Sequence, residues 1–230
     1  MSRKNKLKRF ADILSFPNVY ENFSMKEPQL VGKDGEEVTR KGKWKELHFK
    51  NDNPITLELA CGGGEYTVGL AEMYPERNFI GVDIKGARIW KGAKQALEKG
   101  LDNAAFLRTR IELIDVFFEP GEVADIWITF PDPFLLDSKV NRRLTSPNFL
   151  KEYRKFLPKG SLIHLKTDSP ELYEFTLETI EEYPHTTLLY EDDDIYSKPL
   201  PMKELELKTH YERKHLENKL TIKYVRFQLE

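Results

Sequence analysis

Cysteine and long apolar runs are scarce in this sequence. Cys61 is the single cysteine among the 230 residues, so the chain can form neither an internal disulfide nor a cluster of thiolates around a metal. No apolar run approaches the roughly 18 residues that a membrane-spanning helix needs, and the first residues lack the apolar segment of a signal peptide. We therefore expect a protein of the reducing cytoplasm that does not enter a membrane.

An excess of charge of either sign is also missing. Lys and Arg number 36 against 38 Asp and Glu, and the net charge of -2 disfavours a general nucleic-acid binder. The basic residues are nevertheless unevenly placed, because residues 1–9 hold basic but no acidic side chains and a second basic stretch spans residues 40–45. Such an arm can add local affinity for phosphate groups, and it can equally be a solvated tail. The sequence leaves both interpretations open.

Two regions of the chain differ in their pattern. Residues 1–52 are polar and are interrupted by Pro17, Pro28 and Gly35, so we expect a basic N-terminal extension that is partly irregular. Residues 53–230 alternate short apolar runs with amphipathic segments, which indicates an α/β domain of the Rossmann-like type with a mostly parallel, seven-stranded sheet and an antiparallel last strand. The predicted strands are residues 55–61, 78–84, 104–109, 124–130, 161–166, 186–190 and 220–229, and the predicted helices are residues 65–74, 86–100, 147–157 and 171–183.

A glycine-rich turn follows the first predicted strand of this domain. Gly62, Gly63 and Gly64 lie between the strand and a predicted helix, and Asp83 lies near the end of the next predicted strand, 21 residues after Gly62. Glycines allow the backbone to approach a ligand closely, and an acid at this interval can bind the two hydroxyls of a ribose. We therefore expect Gly62, Gly64 and Asp83 to bind a nucleotide-like cofactor.

The residues around the turn indicate which cofactor it is. The dinucleotide fingerprint requires a third glycine at position 67, where this chain has Thr67. Glu58 and Glu65 would repel the phosphates of a dinucleotide and attract a ligand that has a sulfonium and an ammonium group. S-adenosylmethionine carries both groups, and we predict it as the cofactor. The alternative is an ordinary strand-to-helix turn in which Glu58 forms a salt bridge.

A second acidic turn follows the fourth predicted strand. Asp132 stands between Pro131 and Pro133, which restrict the backbone and so direct the carboxylate. We expect this turn at the carboxyl edge of the sheet, beside the cofactor cleft. A rigid acid at that place is suited to hold a substrate for in-line transfer. Arg142 and Arg143 follow closely, and we predict that they contact the phosphates of a nucleic acid.

Several motifs occur together, in order and at consistent spacing. They are Leu57-Glu58-Leu59, Gly81-Val82-Asp83, Phe130-Pro131-Asp132-Pro133-Phe134, His164-Leu165-Lys166-Thr167-Asp168 and Thr209-His210-Tyr211-Glu212-Arg213-Lys214. With these motifs, the chain from about residue 53 onward resembles the bacterial tRNA (guanine-N7-)-methyltransferase family. The resemblance implies a class I methyltransferase fold. It also implies transfer of a methyl group from S-adenosylmethionine to N7 of a guanosine in the variable loop of tRNA.

The resemblance further implies roles for individual residues. Those expected to bind the cofactor are Glu58, Asp83, Arg110 and Asp132. Asp132 is also the candidate catalytic residue. Those expected to contact the target guanosine are Asp168, Thr209, His210, Tyr211 and Glu212.

Two positions depart from the pattern of the family. Arg110 stands where an acidic residue is common, so a contact with the adenine would come from its backbone or from Glu112. Leu136 stands where a lysine is expected, in a loop that is rich in Lys, Arg and His in related proteins. The substrate loop thus differs more from the family than the cofactor site does.

Other functions are compatible with parts of the sequence. The same fold could methylate another RNA, a small molecule or a protein, and a catalytically weak RNA-binding relative would keep these motifs. A nicotinamide-dependent oxidoreductase is disfavoured by Thr67 and by the acids around the turn. His210 and His215 lack the flanking acid of a helical zinc motif, so we expect no metal. The sequence leaves open whether the protein is a monomer or a homodimer.

Overall fold

A computed structural model describes the backbone of residues 3–230 and the side chains of residues 7–230. The predicted basic arm therefore lies partly outside the described residues, since the side chains of Arg3, Lys4 and Lys6 are not among them. The strands of the described part are β1 Val19–Glu21, β2 Leu30–Val31, β3 Glu37–Val38, β4 Ile55–Leu59, β5 Asn78–Asp83, β6 Ala104–Arg108, β7 Val123–Thr129, β8 Ser161–Thr167, β9 Thr186–Asp192 and β10 Lys223–Leu229. Its α-helices are α1 Arg3–Leu14, α2 Glu65–Met73, α3 Gly86–Glu98, α4 Pro147–Tyr153, α5 Pro170–Glu182 and α6 His210–Glu217.

These strands form one sheet in the order β3-β2-β1-β6-β5-β4-β7-β8-β10-β9. The central strands from β1 to β8 in this order run parallel. The last strand, β10, lies between β8 and β9 and is antiparallel to both. The predicted mostly parallel sheet with an antiparallel last strand is therefore confirmed.

The sheet has three strands more than the seven predicted. The additional strands β1, β2 and β3 extend the edge beyond β6 and are only two or three residues long. They come from the polar first part of the chain, where so short a strand leaves no alternating pattern to detect. The seven strands from β4 to β10 are those predicted, with ends that differ by a few residues.

The N-terminal region packs against the rest of the chain. Helix α1 lies on α3, where the Arg9 guanidinium covers the Trp90 ring at 4.5 Å and Ile13 is buried. Trp44 is fully buried and donates from Nε1 to the Phe117 carbonyl at 2.9 Å. Residues 7–49 thus share the apolar cores of the sheet. The proposed division of the chain at residue 52 stays a prediction.

The parallel pairing of the strands determines where the glycine turn after β4 and the Pro-Asp-Pro turn after β7 lie. Because β4, β5, β6 and β7 run in one direction, the loops that follow them meet at a single edge of the sheet. The glycine turn and the Pro-Asp-Pro turn therefore become neighbours. Over residues 3–230, no helix combines the length and the apolar character needed to cross a membrane.

Candidate active site

A cleft of about 320 Å³ opens at the carboxyl ends of β4, β5, β6 and β7. Its volume is at the lower end of the range found for small-molecule sites. Each of the four strands contributes the residue or the turn that follows it. The lining includes Ala60, Asp83, Arg110, Glu112, Asp132 and Arg142.

The glycine turn after β4 is tightly folded. Ala60, Gly62 and Gly64 have φ angles of +58°, +55° and +69°, in the left-handed region that favours glycine. A Cβ on Gly64 would lie 2.5 Å from the Phe106 ring, so position 64 has no room for another residue. Ala60 lines the cleft, whereas Gly62 and Gly64 form the turn that leads into α2.

Asp83 joins this turn to the cleft. Its Oδ2 accepts a hydrogen bond from the Gly62 amide at 3.0 Å, and its Oδ1 accepts one from the Lys85 amide at 2.7 Å. The carboxylate also lines the cleft, and each oxygen keeps a lone pair for a ligand hydroxyl. The structure thus brings Gly62 and Asp83 into direct contact, although 21 positions separate them in the sequence.

Glu58 lies inside the protein and not on the wall of the cleft. Its Oε2 accepts hydrogen bonds from the amide and the hydroxyl of Thr67 at 2.8 and 2.5 Å, and its Oε1 accepts one from the Thr129 hydroxyl at 2.8 Å. Burial raises the pKa of Glu58 to about 7. The carboxyl group ties the first turn of α2 to the end of β7, which explains why Thr67 stands in place of a glycine. A direct contact between Glu58 and a cofactor stays a prediction.

The Pro-Asp-Pro turn after β7 is held in an unusual conformation. Phe130 and Phe134 have φ angles of +49° and +43°, which cost free energy for residues with a side chain. Asp132 is exposed between them, lines the cleft and accepts a hydrogen bond at Oδ1 from the Phe134 amide at 3.1 Å. The turn therefore presents one acid to the cleft in a fixed position.

Arg143 holds this turn from inside. It is 7% exposed, and its guanidinium donates to the Pro133 carbonyl at 2.9 Å and to the Phe134 carbonyl at 3.3 Å. The guanidinium also lies over the Phe175 ring at 4.5 Å. A contact between Arg143 and phosphate stays a prediction, and in this structure Nε and Nη2 donate to backbone carbonyls of the turn. Arg142 is exposed and lines the cleft, so it is accessible to an anion.

Arg110 lines the cleft just beyond β6. Its guanidinium lies 3.4 Å from the Glu112 carboxylate, and both side chains are about half exposed. The pair begins the short 3-10 turn Ile111–Val116. An acid is thus present on this wall, two positions after the place where the family commonly has one.

The residues Thr209 to Glu212 form the start of α6. Thr209 caps the helix, and Glu212 completes a capping box with it. Glu212 is fully buried, where its carboxylate lies 2.7 Å from Lys166 Nζ and accepts from the Tyr196 hydroxyl at 2.5 Å. Burial, the largest effect, lowers the pKa of Lys166. Thr209 and Glu212 are therefore used within the protein in this structure, whereas His210 and Tyr211 are exposed.

Asp168 follows β8 and is partly exposed. Its Oδ2 lies 3.5 Å from Nδ1 of His215, a residue of α6. The His215 ring also stacks on the Phe130 ring, with the centroids 5.9 Å apart and the planes at 20°. Phe130 lines the cleft, so His215 connects Asp168 to the turn that carries Asp132.

Four further side chains line the cleft or support it, and the sequence assigned them no role in the site. Lys85 and Arg88 bring positive charge to the wall of the cleft at the start of α3. Lys166 and His215 fix α6 to the end of β8. The capping pattern of a Thr followed three residues later by a Glu would have signalled the start of α6, which was not predicted.

Comparisons with known proteins identify the family. A family model described as "Putative methyltransferase" matches residues 52–225. The tRNA (guanine-N(7)-)-methyltransferase of Bacteroides fragilis is 49% identical over 98% of this chain and 86% of its own length. That of Christiangramia forsetii is 47% identical over the full length of both chains.

A solved structure supports the fold alone. The 16S rRNA methyltransferase KamB superposes with a TM-score of 0.61 and 15% sequence identity, over 91% of this chain and 99% of its own. The class I methyltransferase fold expected from the sequence is confirmed. The family model and the relatives show that the chain belongs to the family of tRNA (guanine-N7-)-methyltransferases.

Proposed function

We propose that this protein transfers a methyl group from S-adenosylmethionine to N7 of a guanosine in tRNA. One observation carries the proposal. Asp83 and Asp132 line the same cleft at the carboxyl edge of the sheet, in a chain whose relatives are named for this reaction.

The residues of the cleft fit S-adenosylmethionine. Asp83 offers acceptors for ribose hydroxyls, and Ile111 offers an apolar surface to an adenine. Asp132 places a carboxylate in the cleft that can attract a cationic ligand, and basic side chains line the same cleft. When bound, the cofactor supplies a methyl group on a positively charged sulfur.

The reaction requires alignment more than proton transfer. N7 of guanine carries a free lone pair and no proton, so the site needs no strong general base. Asp132 orients the guanine by accepting hydrogen bonds from its N1 and exocyclic amine protons. The same carboxylate stabilises the positive charge that arises on the methylated ring. Arg143 keeps Asp132 in position, because it holds the carbonyls of the two residues that follow.

The remaining sequence-predicted residues take two kinds of role in this proposal. Asp168, His210 and Tyr211 are accessible and contact the nucleotide. Thr209 and Glu212 act through the position of α6, since their polar atoms are engaged inside the protein. Glu58 acts in the same indirect way on the glycine turn.

The phosphate backbone of the tRNA contacts exposed basic side chains that line the cleft. Lys85, Arg88 and Arg142 are exposed there and are suited to contact phosphates, which position a nucleic acid without reading its sequence. We place the reaction in the cytoplasm, in keeping with a single cysteine that is buried and unpaired.

Transfer of a labelled methyl group to bulk tRNA tests the proposal. The tRNA is digested to nucleosides after incubation with labelled S-adenosylmethionine, and we expect the label in 7-methylguanosine. Label in another nucleoside would assign the protein to a different RNA reaction. Binding of the cofactor without transfer to any RNA would favour a non-catalytic RNA-binding relative and contradict the proposal.

A further inference from the structure

His215 lies between the two acidic turns of the candidate active site. Its Nδ1 is 3.5 Å from Asp168 Oδ2, and its ring stacks on Phe130 at 5.9 Å between centroids. We propose that His215 is a positioning residue, which holds the Asp168 carboxylate in the orientation that receives the guanosine. The inference rests on the proposed function and adds to it a residue outside the motifs that carry the family resemblance.

The position of His215 is set by a buried ion pair one helical turn earlier. Glu212 and His215 are three residues apart and therefore share a face of α6. Lys166 belongs to β8, and Asp168 is the first residue after this strand. Helix and strand are thus joined by two contacts, Glu212 to Lys166 at 2.7 Å and His215 to Asp168 at 3.5 Å.

The two contacts differ in their surroundings. Glu212 and Lys166 are completely buried, whereas the side chains of His215 and Asp168 are 25% and 27% exposed. Lys166 also donates to the carbonyls of Leu205 and Leu207, which fixes the segment that leads into α6. The buried pair therefore anchors the helix, and the partly exposed pair orients an acid that a substrate can reach.

The stacking of His215 on Phe130 extends its positioning role to the turn that carries Asp132. Phe130 precedes Pro131 and Asp132, and its positive φ places strain in the backbone of this turn. A ring stacked on it limits movement of the whole turn. A single imidazole thus restricts both carboxylates that are proposed to face the guanine. Misplacement of a reacting group by about 1 Å can lower a rate on the order of a hundredfold.

Three variants of His215 separate its two contacts, and a fourth variant on the same helix is the control. His215→Ala removes both contacts. His215→Asn keeps a polar group near the place of Nδ1 and loses the ring, whereas His215→Phe keeps a ring and loses the ring nitrogens. Glu217→Gln, an exposed change on the same helix, is the control. For each protein we would measure kcat and KM for tRNA, the Kd for S-adenosylmethionine by calorimetry, and the Tm.

We expect His215→Ala to lower kcat/KM for tRNA by about tenfold to a hundredfold. The cofactor Kd should stay within about twofold of the wild type, and so should kcat/KM of Glu217→Gln. His215→Asn should recover the larger part of the loss, which depends on the contact with Asp168, and His215→Phe should recover the smaller part, which depends on the stacking on Phe130. Removing His215 in an Asp168→Asn background should cost much less than in the wild type, because the two residues act through one contact.

Three results would overturn the inference. One is a His215→Ala enzyme with wild-type kcat/KM, and another is recovery by Phe but not by Asn. The third is a loss of cofactor binding and Tm in parallel with activity, which would show a structural role only. These failures differ from failure of the proposed function, since the latter appears as absence of 7-methylguanosine with the wild-type protein.

Discussion

The glycine turn after β4 and the helix α6 both support the candidate active site, but they are held in different ways. Glu58 and Thr67 belong to the strand and the helix that flank the glycine turn, and Asp83 and Thr129 add contacts from β5 and β7. Helix α6 depends on Lys166 of β8 and on Tyr196, which are distant in the sequence. Much of the cofactor side therefore belongs to one strand-turn-helix unit, to which β5 and β7 add contacts, whereas α6 on the proposed substrate side is positioned by residues of β8 and of the segment before the helix.

The largest effect is expected at the anchor of α6. Lys166→Met leaves the buried Glu212 carboxylate without its cation, and breaking a buried pair in this way costs about 3–5 kcal/mol. The free energy of unfolding from urea denaturation measures the loss. The exposed pair Lys94 and Glu98 offers the control, because Lys94→Ala should change stability by less than about 1 kcal/mol. Equal effects of the two changes would contradict the assigned role of the buried pair.

Asp132→Ala should impair turnover without unfolding the protein. Loss of a preorganised group at a developing charge lowers kcat on the order of 100-fold to 1,000-fold. Asp132 is exposed, so the Tm should change little. Single-turnover rates at saturating tRNA give the measurement. A variant with near-normal turnover would show that the Pro-Asp-Pro turn has no role in orienting the guanine.

The buried Glu58 predicts a pH dependence of stability on the cofactor side. Its pKa is raised from the ordinary 4.5 to about 7 in the folded protein, with burial as the main cause. The folded state therefore binds a proton that the unfolded state has released, and stability falls as pH rises from about 4.5 to about 7. The full loss is on the order of 3 kcal/mol and levels off above that window.

Glu58→Gln should remove this part of the pH dependence. The amide cannot ionise, so the free energy of unfolding of the variant should fall less than that of the wild type between pH 4.5 and 7. Chemical denaturation at several pH values gives the comparison. Parallel curves for the two proteins would mean that Glu58 keeps an ordinary pKa in the folded state.

Two glycines offer a smaller and well-matched comparison. Gly64 and Gly100 have nearly equal φ angles of +69° and +66°, but a Cβ on Gly64 would meet Phe106 while a Cβ on Gly100 would meet no atom within 4 Å. Gly100→Ala should cost about 1 kcal/mol from the backbone alone. Gly64→Ala should cost clearly more and should also weaken cofactor binding in calorimetry. Equal losses in the free energy of unfolding for the two changes would mean that the Phe106 ring leaves room for a Cβ at position 64. That result would contradict the close packing of the glycine turn.

Sequence reasoning succeeded where structure is local. The strands β4 to β8, the glycine turn and the interval to Asp83 follow from short patterns of apolar residues and glycines. It did not foresee the place of Arg143, which is 7% exposed and donates to two backbone carbonyls inside the protein. It also missed His215, because nothing in the sequence places residue 215 beside residues 130 and 168. Contacts of that kind arise only once the strands are ordered in the sheet.

A tRNA transcript that contains 7-deazaguanosine tests the central claim most directly. This nucleoside carries a C–H group in place of N7 and keeps the N1 and amine protons that Asp132 is proposed to bind. We expect the transcript to bind with a Kd close to that of the unsubstituted tRNA and to accept no methyl group. Equal methyl transfer to both transcripts would contradict the account, because the acceptor could then not be N7 of guanine.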